Sequence, residues 1–546
     1  MKPNDNGESD VTPTESETTC TVGNDPRGSW EIPETSTSSD VDRSEKVRCH
    51  TADMHVSGKS DSLKIPEKQA NNSGPQTEAE SVEERRLTKE NVNQSLLVRT
   101  QSRGPRSRGL LGVREIARSD KKARFNNLLN HVTPELLQAS FFDLKKQAAP
   151  GIDGETWAQY AENFEVRITD LHTRIHRGTY RAKPSKRTWI PKLDGKLRPL
   201  GIASLEDKIV QQAVRVVLEC IYEEDFLGFS YGFRPRRSCH RALDALNVGI
   251  STQKVNWILD ADIRGFFDAI SHQWLVKFLE HRIADRRLLR LLKKWLRAGV
   301  SEDGEWSPST VGTPQGAVIS PFFSNVFLHY ALDLWIVAWR KHHAVGEVII
   351  VRYADDFVLG FQEEIDAKCC LEALQERFAK FHLELHPEKT RLIEFGRFAA
   401  ERRSKRGEGP PETFDFLGFT HISGKTRKGD FTIRRITALK KLKAKLHELK
   451  GKLQRMVHRD LAEVGSWLTS VFKGWCNYHA VPGNSTRMNQ FRTAIQKIWL
   501  RVLRRRSQRA RRMTWAKFGK LSRRWLPTPK ILHPYPSVRF ARLYSR

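Results

Sequence analysis

Two adjacent aspartates, Asp355 and Asp356, stand between two strongly apolar runs within residues 348–361 (V-I-I-V-R-Y-A-D-D-F-V-L-G-F). A buried strand does not normally carry neighbouring carboxylates, because isolated buried charge is very costly. A hairpin whose tight turn presents both acids at its tip avoids that cost. Carboxylates held together repel each other, and a divalent cation relieves that repulsion. An ordinary Asp-rich turn is the alternative, and the flanking apolar strands make it the weaker explanation.

A second pair of acids, Asp260 and Asp262, ends another apolar run within residues 257–268 (W-I-L-D-A-D-I-R-G-F-F-D). In a strand these two side chains point to the same face. If this strand end lies beside the first hairpin, three carboxylates converge. Oxygen ligands suit Mg²⁺, and two such ions can activate an attacking 3′-hydroxyl and stabilise a leaving pyrophosphate. The spacing leaves open which of Asp260 and Asp262 is the ligand.

Hydrophobic patterns indicate the elements that must position these acids. Residues 188–202 are predicted to form a hairpin that turns at Asp194-Gly195, residues 255–262 a buried strand, and residues 348–361 a second hairpin. Helical periodicity covers 207–222, 274–298, 365–381 and 439–456, and an earlier helical part runs from Val113 to Leu144 and stops at Pro150-Gly151. This mixed order indicates an α+β fold rather than regular βαβ winding.

Length and composition bound the class of protein. The chain has 546 residues, a net charge of +29 and a pI near 9.9, which is room for three or four domains of ~100–200 residues. No run of about 18 apolar residues occurs and the first twenty residues are polar, so we expect neither a membrane-spanning helix nor a secretory leader. Seven cysteines without a Cys-x-x-Cys pair argue against a disulfide scaffold and a zinc site.

The charge is unevenly distributed along the chain. Residues 1–85 have a net charge of −9 and few large apolar side chains, which predicts disorder. Residues 431–546 contain 29 Lys and Arg against three acids, and tryptophans and a tyrosine interleave with these cations. Phosphate backbones are bound through such cationic surface, and aromatic rings stack on bases. A solvated basic face is the alternative, and we favour a nucleic-acid partner.

The ordered motifs resemble those of bacterial group II intron-encoded proteins, the reverse transcriptase/maturases, over roughly residues 110–540. Tyr353-Ala354-Asp355-Asp356 is similar to the active-site box of reverse transcriptases. Further blocks follow the family's order: A-P-G-I-D-G at 149–154, I-P-K at 190–192, R-P-L-G-I at 198–202, Y-G-F-R-P at 231–235, G-T-P-Q-G at 312–316, H-P-E-K-T at 386–390, F-L-G-F at 416–419 and W-L-P at 525–527.

The resemblance implies a right-hand polymerase of class α+β. Its expected parts are a disordered acidic extension (1–85), a basic linker with the N-terminal helical part of the fingers (86–172), fingers and palm (173–420), and an α-helical thumb with a basic maturase (X) region (421–546). It implies RNA-directed DNA synthesis and assistance to splicing of the parent group II intron RNA, which together serve target-primed reverse transcription. The implied partners are that intron RNA, an RNA template with a DNA primer, deoxynucleoside triphosphates and target DNA, in a bacterial cytoplasm and without a membrane.

The family pattern also assigns roles to positions of this sequence. Asp262, rather than Asp260, completes the catalytic set with Asp355 and Asp356, which would hold two Mg²⁺ ions, or Mn²⁺ as a substitute. The resemblance also implies that the Ile263 carbonyl is a metal ligand and that Lys389 contacts phosphate. The implied nucleotide contacts are Lys192, Arg198, Gln315 and Phe267, with Phe266 as the alternative to Phe267 for the position under the sugar. The implied RNA contacts are Arg504, Arg505, Arg506, Trp475 and Tyr478.

Two alternatives stay open. The first is a splicing-only RNA-binding maturase with an inactive polymerase, against which the intact set of three aspartates argues. The second is the reverse transcriptase of another retroelement or of a defence system, against which the basic C-terminal region argues. A His-Asn-His endonuclease, which many relatives carry after the maturase region, is not expected here because no paired cysteines occur.

Overall fold

The structure is a computed structural model that describes residues 108–191, 197–302 and 304–544. The strands in these ranges are β1 (Ser185–Pro191), β2 (Leu197–Ile202), β3 (Trp257–Asp262), β4 (Val300–Glu302), β5 (Glu305–Ser307), β6 (Val348–Tyr353), β7 (Asp356–Phe361), β8 (Arg391–Glu394), β9 (Phe414–Phe416), β10 (Phe419–Lys425) and β11 (Phe431–Thr437). The α-helices up to the central sheet are α1 (Arg108–Ser119), α2 (Pro134–Asp143), α3 (Trp157–Glu162), α4 (Phe164–Arg177), α5 (Leu205–Asp225) and α6 (Cys239–Thr252).

The remaining helices lie between and after the strands. They are α7 (Phe266–Ala269), α8 (His272–Glu280), α9 (Arg286–Arg297), α10 (Ser320–Leu328), α11 (Leu334–His342), α12 (Glu364–Ala379), α13 (Ala399–Lys405), α14 (Leu439–Arg455), α15 (Leu461–His479), α16 (Ser485–Arg504), α17 (Gln508–Arg511), α18 (Trp515–Ser522) and α19 (Pro536–Tyr544). A short 3₁₀ helix, Leu128–His131, follows α1, and a π-helical turn, His329–Asp333, joins α10 to α11.

The central sheet has the strand order β6-β7-β3-β8, and all its pairs are antiparallel. Side chains alternate between its two faces, as the two-residue period of a strand requires. Leu259 and Phe357 enter the large core with α5, α10 and α12, whereas Ile258 and Val358 enter a second core with α6. Helices therefore cover both faces, and functional groups can reach substrate only at the sheet's ends and edges.

The N-terminal sheet, of order β2-β1-β4-β5, takes β1 and β2 from before β3 in the chain and β4 and β5 from after it. Its first hairpin pairs β1 with β2 antiparallel, from Lys186 opposite Ile202 to Pro191 opposite Leu197. The 21-residue helix α5 follows, and it begins where the Ser204 hydroxyl accepts a hydrogen bond from the Asp207 backbone N–H at 3.2 Å. This side-chain cap satisfies one of the helix's free amides.

The connecting sheet, of order β11-β10-β9, spans residues 414–437. The sequence patterns did not predict it, and it crosses the expected boundary between residues 420 and 421. β10 and β11 are paired from Phe419 opposite Thr437 to Lys425 opposite Phe431. Helices α14, α15 and α16 then pack around a third core that includes Leu449, Leu468 and Trp499.

Most of the predicted elements are present. The hairpin at 348–361, the paired strands of the hairpin at 188–202, the strand ending at Asp262 and the helices at 207–222, 365–381 and 439–456 are confirmed within one to three residues at most ends. The predicted turn at Asp194-Gly195 lies outside the described residues. The predicted helix 274–298 is wrong as one element, since α8 ends at Glu280 and α9 begins at Arg286. Asp285 starts the second helix by accepting from the Arg287 and Leu288 backbone amides.

One helical run, Ser320–His342, is long and apolar enough to cross a membrane by length and composition. Of its most apolar window, 78% is buried inside the protein. Phe323, Phe327 and Ile336 belong to the large core against the central sheet. The run therefore has the surroundings of a core helix, which explains its hydrophobicity without a bilayer.

Candidate active site

The β6–β7 hairpin presents Asp355 and Asp356 at its tip. Tyr353 is paired with Asp356, so only Ala354 and Asp355 form the turn. Ala354 has φ 60, and this left-handed conformation costs a residue with a Cβ of order 1 kcal/mol. The apolar strand residues on both sides are buried. The predicted hairpin is therefore present, with its acids at the end of the sheet rather than inside it.

Strand register brings Asp262 to the same place. Asp262 lies directly opposite Asp356 on the neighbouring strand β3. Residues opposite each other in an antiparallel pair have Cα atoms ~4.5–5.5 Å apart and point to the same face. Asp260, two residues earlier, lies opposite Val358, and the Arg391 Nη2 is 3.5 Å from its Oδ2. The register thus places Asp262, and not Asp260, beside the hairpin tip.

The electrostatics of the three acids favour a bound cation. The pKa of Asp356 is raised to about 7, first by lost hydration in the cleft and then by the negative charges of Asp355 and Asp262. Burial also raises the pKa of Asp355, Asp262 adds to that rise, and Arg198 opposes it. Each like-charged neighbour makes ionisation harder. A divalent ion among these groups would remove the repulsion that adds to the rise of both pKa values.

The donor set fits Mg²⁺. Carboxylate oxygens are the protein ligands that Mg²⁺ prefers, and it retains waters or takes substrate phosphates as the others. Among the residues that the structure describes, no three His, Cys, Asp or Glu side chains are arranged so that they could hold a metal ion as they stand. The Lys389 Nζ is 2.5 Å from the Asp262 Oδ2 and so pairs with one of the three catalytic carboxylates. Metal binding would therefore require this lysine to leave the Asp262 carboxylate.

A buried ion pair supports the turn from below. Arg352 and Asp333 are both 0% exposed, and the Arg352 Nε and Nη2 donate to the Asp333 carboxylate at 2.7 and 2.5 Å. The Arg352 Nη1 also donates to the Ala354 carbonyl at 3.0 Å and to the Asn325 Oδ1 at 3.1 Å. Its Nη2 donates to the Ser230 hydroxyl at 2.7 Å. The arginine therefore connects the turn to α10 and to the following π-helical turn.

Gly232 lies against the backbone of the same turn. A Cβ at this position would be 2.2 Å from the Ala354 nitrogen, so only glycine fits. The Asn325 Nδ2 donates to the Gly232 carbonyl at 2.7 Å. Our sequence reasoning assigned no role to Arg352 or Asp333. The available signal was a charged residue inside the apolar run V-I-I-V-R-Y, since a buried arginine needs a buried partner.

The structure describes all but one of the predicted nucleotide contacts, and these lie around the tip of the β6–β7 hairpin. Lys192 lies outside the described residues. Arg198 is exposed on β2, close enough to oppose the rise in the pKa of Asp355. Phe266 is 2% exposed in the core, whereas Phe267 is half-buried, so Phe267 is the ring that is available to a ligand.

The remaining predicted contacts of this group are on adjoining loops. The Gln315 Nε2 is 3.4 Å from the Asp268 carboxylate, and the Gln315 carbonyl accepts from the Gly201 N–H at 2.7 Å. This hydrogen bond ties the 312–316 loop to β2, which carries Arg198. Ile263, the predicted carbonyl ligand, follows Asp262 and forms a bridge with Leu385. No bound metal or nucleotide tests these assignments, so they stay predictions.

The predicted RNA contacts divide into two kinds. Arg504, Arg505 and Arg506 are exposed at the end of α16, although the Arg504 guanidinium donates to the Met513 carbonyl at 3.0 and 2.7 Å. The Trp475 ring stacks on Phe491 with centroids 4.2 Å apart.

The Tyr478 side chain also makes its contacts with other residues of the protein. Its hydroxyl donates to the Leu417 carbonyl at 2.7 Å, and its ring stacks on Phe419. Both side chains are half-buried and make these contacts within the protein, and their assignment as RNA contacts stays a prediction. Trp475 packs against the core of the C-terminal helices, and Tyr478 packs against the second core, which contains residues of α6 and the central sheet.

The amino-acid sequence is similar to a known protein family and to several known proteins. Residues 190–421 match the family model described as "Reverse transcriptase (RNA-dependent DNA polymerase)". The chain is 33% identical over 336 residues to "Protein YkfC" of Escherichia coli (strain K12), an alignment that covers 54% of this chain and 87% of that protein. It is 38% identical over 179 residues to "Group II intron-encoded protein LtrA" of Lactococcus lactis subsp. cremoris, which covers 32% of this chain and 29% of LtrA.

A plant relative extends the same comparison. The chain is 29% identical over 150 residues to "Nuclear intron maturase 4, mitochondrial" of Arabidopsis thaliana, covering 27% of this chain and 18% of that protein. The match therefore spans most of YkfC and less than a third of the two relatives whose names mention introns. The matched family region contains Asp262, Asp355 and Asp356.

Proposed function

Since the chain belongs to the reverse transcriptase family of RNA-dependent DNA polymerases and is related to group II intron-encoded proteins and intron maturases, we propose that it copies its parent group II intron RNA into DNA and assists the splicing of that RNA. The observation that carries the catalytic part is the register of Asp262 opposite Asp356, with Asp355 in the adjoining turn. Three carboxylates at one sheet end are the donor set for Mg²⁺.

The reaction we propose is attack of a primer 3′-hydroxyl on the α-phosphate of a deoxynucleoside triphosphate, with pyrophosphate as the leaving group. Mg²⁺ bound by Asp262, Asp355 and Asp356 would lower the pKa of the hydroxyl and neutralise developing charge on the phosphates. Arg198 faces these acids from β2 and is suited to bind the triphosphate. Phe267 would pack under the sugar, and Gln315 would contact the nucleotide or the template.

The architecture we propose is a right hand. The N-terminal sheet and helices α1–α5 would be fingers, the central sheet the palm, and α14–α16 the thumb, followed by a maturase region. The exposed cations at the end of α16, Arg505 and Arg506, are the start of the surface that we propose for intron RNA. In this role the RNA performs the splicing chemistry and the protein supplies cationic surface. Reverse transcription primed on the target DNA would join the two activities in mobility of the intron.

Primer extension on an RNA template with a DNA primer and Mg²⁺ tests the proposal. We expect extension by the wild-type protein and a loss of at least about 10³-fold in kcat for Asp262→Asn, Asp355→Asn and Asp356→Asn, because each removes a metal ligand. Asp260→Asn is the matched control on the same strand face and should retain most activity. An equal loss in the Asp260 and Asp262 variants, or an active Asp355→Asn, would contradict the assignment.

The same variants separate polymerisation from splicing assistance. Asp355→Ala should abolish DNA synthesis and leave binding of the intron RNA and its protein-assisted splicing largely intact. A parallel loss of splicing would show that the two activities share this site, against our proposal. Wild-type protein that binds the intron RNA but extends no primer would favour a splicing-only maturase instead.

A further inference from the structure

Phe233 combines two properties that do not favour folding. Its backbone has φ 60, a left-handed conformation that strains any residue with a Cβ. Its side chain is 47% exposed, although phenylalanine is among the residues most often buried. A glycine at this position would adopt the same backbone conformation without strain and would expose no apolar ring. The phenylalanine therefore indicates a role other than stabilising the fold.

The residues on both sides keep Phe233 in this conformation. Gly232 lies against the catalytic turn, where a Cβ would be 2.2 Å from the Ala354 nitrogen. Arg234 is buried, and its Nε and Nη2 donate to the Glu223 carboxylate at 3.2 and 3.1 Å. A strained residue persists only where its surroundings determine its backbone in this way. Both neighbours are fixed, so the Phe233 ring is held at one place on the surface.

Strand pairing places this ring next to the catalytic acids. Asp262 is opposite Asp356 on β7, and Asp356 is opposite Tyr353 on β6. Residues opposite each other in an antiparallel pair lie on the same face of the sheet. The Tyr353 ring is the neighbour of the Phe233 ring, with 6.5 Å between centroids. The row that results, across the end of the central sheet, is Asp262, Asp356, Tyr353 and Phe233.

Phe233 is the outer end of this row. β6 is an edge strand of the central sheet, and the chain before Phe233 runs along its outer side, where Ser230 forms a parallel bridge with Arg352. Neighbouring strands lie ~4.8 Å apart, so the Phe233 ring is roughly 11 Å from the Asp356 position along the row. Successive nucleotides of one strand of a duplex advance by ~3.4 Å, so this distance corresponds to about three nucleotides.

We propose that Phe233 is a specificity-determining residue of the polymerase reaction: its ring packs on the deoxyribose of the primer strand at about the third nucleotide from the 3′ end and disfavours a ribose there. The inference rests on the proposed function. A primer 3′-hydroxyl must reach the three acids, so the nucleotides before it pass along the surface beside them. The Phe233 ring is the exposed apolar group at the end of the row on that surface.

The chemistry of the two surfaces supports this assignment. Bases inside a duplex stack on one another, so a ring beside the duplex meets the sugars, whose contacts orient the strand without reading its sequence. The apolar face of a deoxyribose can pack on an exposed phenyl ring. A ribose at the same place would bring its 2′-hydroxyl against the ring, where this group would lose water without gaining a hydrogen bond. Phe233→Gly would leave room for both sugars.

Primer extension with DNA primers that each contain one ribonucleotide tests the inference. The ribonucleotide occupies one position between the second and the sixth from the 3′ end, and an all-DNA primer is the reference. For the wild-type protein we expect kcat/KM to fall about 10-fold with the ribose at the third position and by less than about 2-fold at the sixth, because only the third sugar meets the ring. In Phe233→Gly the penalty at the third position should shrink to about 2-fold or less, since the ring is absent.

Two variants separate contact with the primer from packing within the protein. Phe233→Leu keeps an apolar side chain and should retain most of the preference for deoxyribose. Phe233→Gly removes strain, so it should unfold at a denaturant concentration equal to or higher than that of the wild type. His382→Gly is the matched control, because His382 is exposed and also has φ 60, on the turn after α12. This control should keep the ribose penalty of the wild type.

Distinct results overturn the inference and the proposed function. An inactive wild type on the all-DNA primer contradicts the function. An active wild type whose ribose penalty is absent, lies outside the second to fourth positions, or is unchanged in Phe233→Gly contradicts the role of Phe233 alone. Unfolding of Phe233→Gly at a clearly lower denaturant concentration, with the ribose penalty retained, would make the ring a packing residue.

Discussion

At the residue scale, backbone pairing rather than loop geometry sets the positions of the three acids. Asp262 and Asp356 face each other because β3 and β7 are antiparallel in this register, and a shift of one residue would move one acid to the other face of the sheet. Asp355 is fixed by a turn of two residues. The sequence predicted the convergence because adjacent acids between apolar strands have few other stable arrangements. The spacing alone left Asp260 and Asp262 undecided because both lie on one strand face, and only the family resemblance favoured Asp262.

The raised pKa of Asp356 predicts how Mg²⁺ binding depends on pH. Below its pKa of about 7 this carboxyl is protonated, so Mg²⁺ must displace a proton. We expect apparent Mg²⁺ affinity to fall up to about 10-fold per pH unit below 7 and to level off above pH 8. Calorimetric Mg²⁺ titration at pH 6, 7 and 8, in two buffers that differ in ionisation enthalpy, measures the affinity and the protons released. Affinity that is constant from pH 6 to 8 would refute the prediction.

The raised pKa of Asp356 also makes the stability of the metal-free protein depend on pH. Folding raises the pKa of Asp356 above the ordinary value of 3.8, so the folded state favours the protonated acid. The stability that this group provides is therefore full below about pH 4 and is lost as pH rises toward 7. Asp356→Asn should unfold at a higher denaturant concentration than wild type at pH 8 without metal, and the difference should shrink at pH 5.

At the element scale, β6 depends on partners far along the chain. Its arginine, Arg352, is paired with Asp333 in the π-helical turn and also holds the Ala354 carbonyl. Hydrophobic patterns predicted the strand but could not supply the partner, because nothing in the sequence marks Asp333 as facing that strand. The connecting sheet was missed for a related reason, since β9 has only three residues and no alternation that a window could detect.

A double-mutant cycle on Arg352 and Asp333 measures this pair. Asp333→Leu leaves a buried, unpaired guanidinium and should destabilise folding by about 3–5 kcal/mol, and Arg352→Met leaves a buried, unpaired carboxylate with a similar cost. The double variant Arg352→Met/Asp333→Leu should recover much of that stability, as measured by denaturant unfolding.

Activity should not follow stability in this cycle. The double variant lacks the hydrogen bond from Arg352 to the Ala354 carbonyl, so primer extension should stay at least about 10-fold below wild type. Additive losses of stability would show that the two side chains do not act as a pair. Full activity in the double variant would show that the turn needs no support from Arg352.

At the scale of the whole molecule, charge is segregated toward the C-terminal helices. Residues 431–546 have a net charge of +26, nearly as large as the +29 of the entire chain. Composition predicted this basic surface correctly but could not tell which of its side chains are free. Arg504 is committed to the Met513 carbonyl, and the aromatic residues Trp475 and Tyr478 are half-buried and make contacts within the protein. Only the folded structure distinguishes such residues from exposed cations.

The exposed pair Arg505 and Arg506 carries a salt-dependence prediction. Arg505→Gln/Arg506→Gln should weaken intron RNA binding and reduce the slope of log affinity against log salt by about 1.5, since each phosphate contact contributes ~0.7–0.9. Filter binding over a series of salt concentrations measures the slope.

A control with the same change in net charge makes that result specific. Lys368→Gln/Lys405→Gln removes two exposed cations, each paired with a glutamate at 2.8 Å, and should leave the slope unchanged. If both double variants reduce the slope equally, then overall charge, rather than the end of α16, governs RNA binding.

The connecting sheet has a consequence for recombination between relatives. A crossover between residues 420 and 421 would give β9 and the first two residues of β10 to one parent, and the rest of β10, β11 and the thumb helices to the other. In chimeras of this kind three pairs would join residues of different ancestry: Phe419 with Thr437, Thr420 with Ile436, and His421 with Phe414. A junction after Thr437 keeps the ladder whole, but the grafted segment must still bring a tyrosine at position 478 to meet the inherited Leu417 carbonyl. Domain exchange in this fold is therefore constrained by one side chain as well as by where the chain is cut.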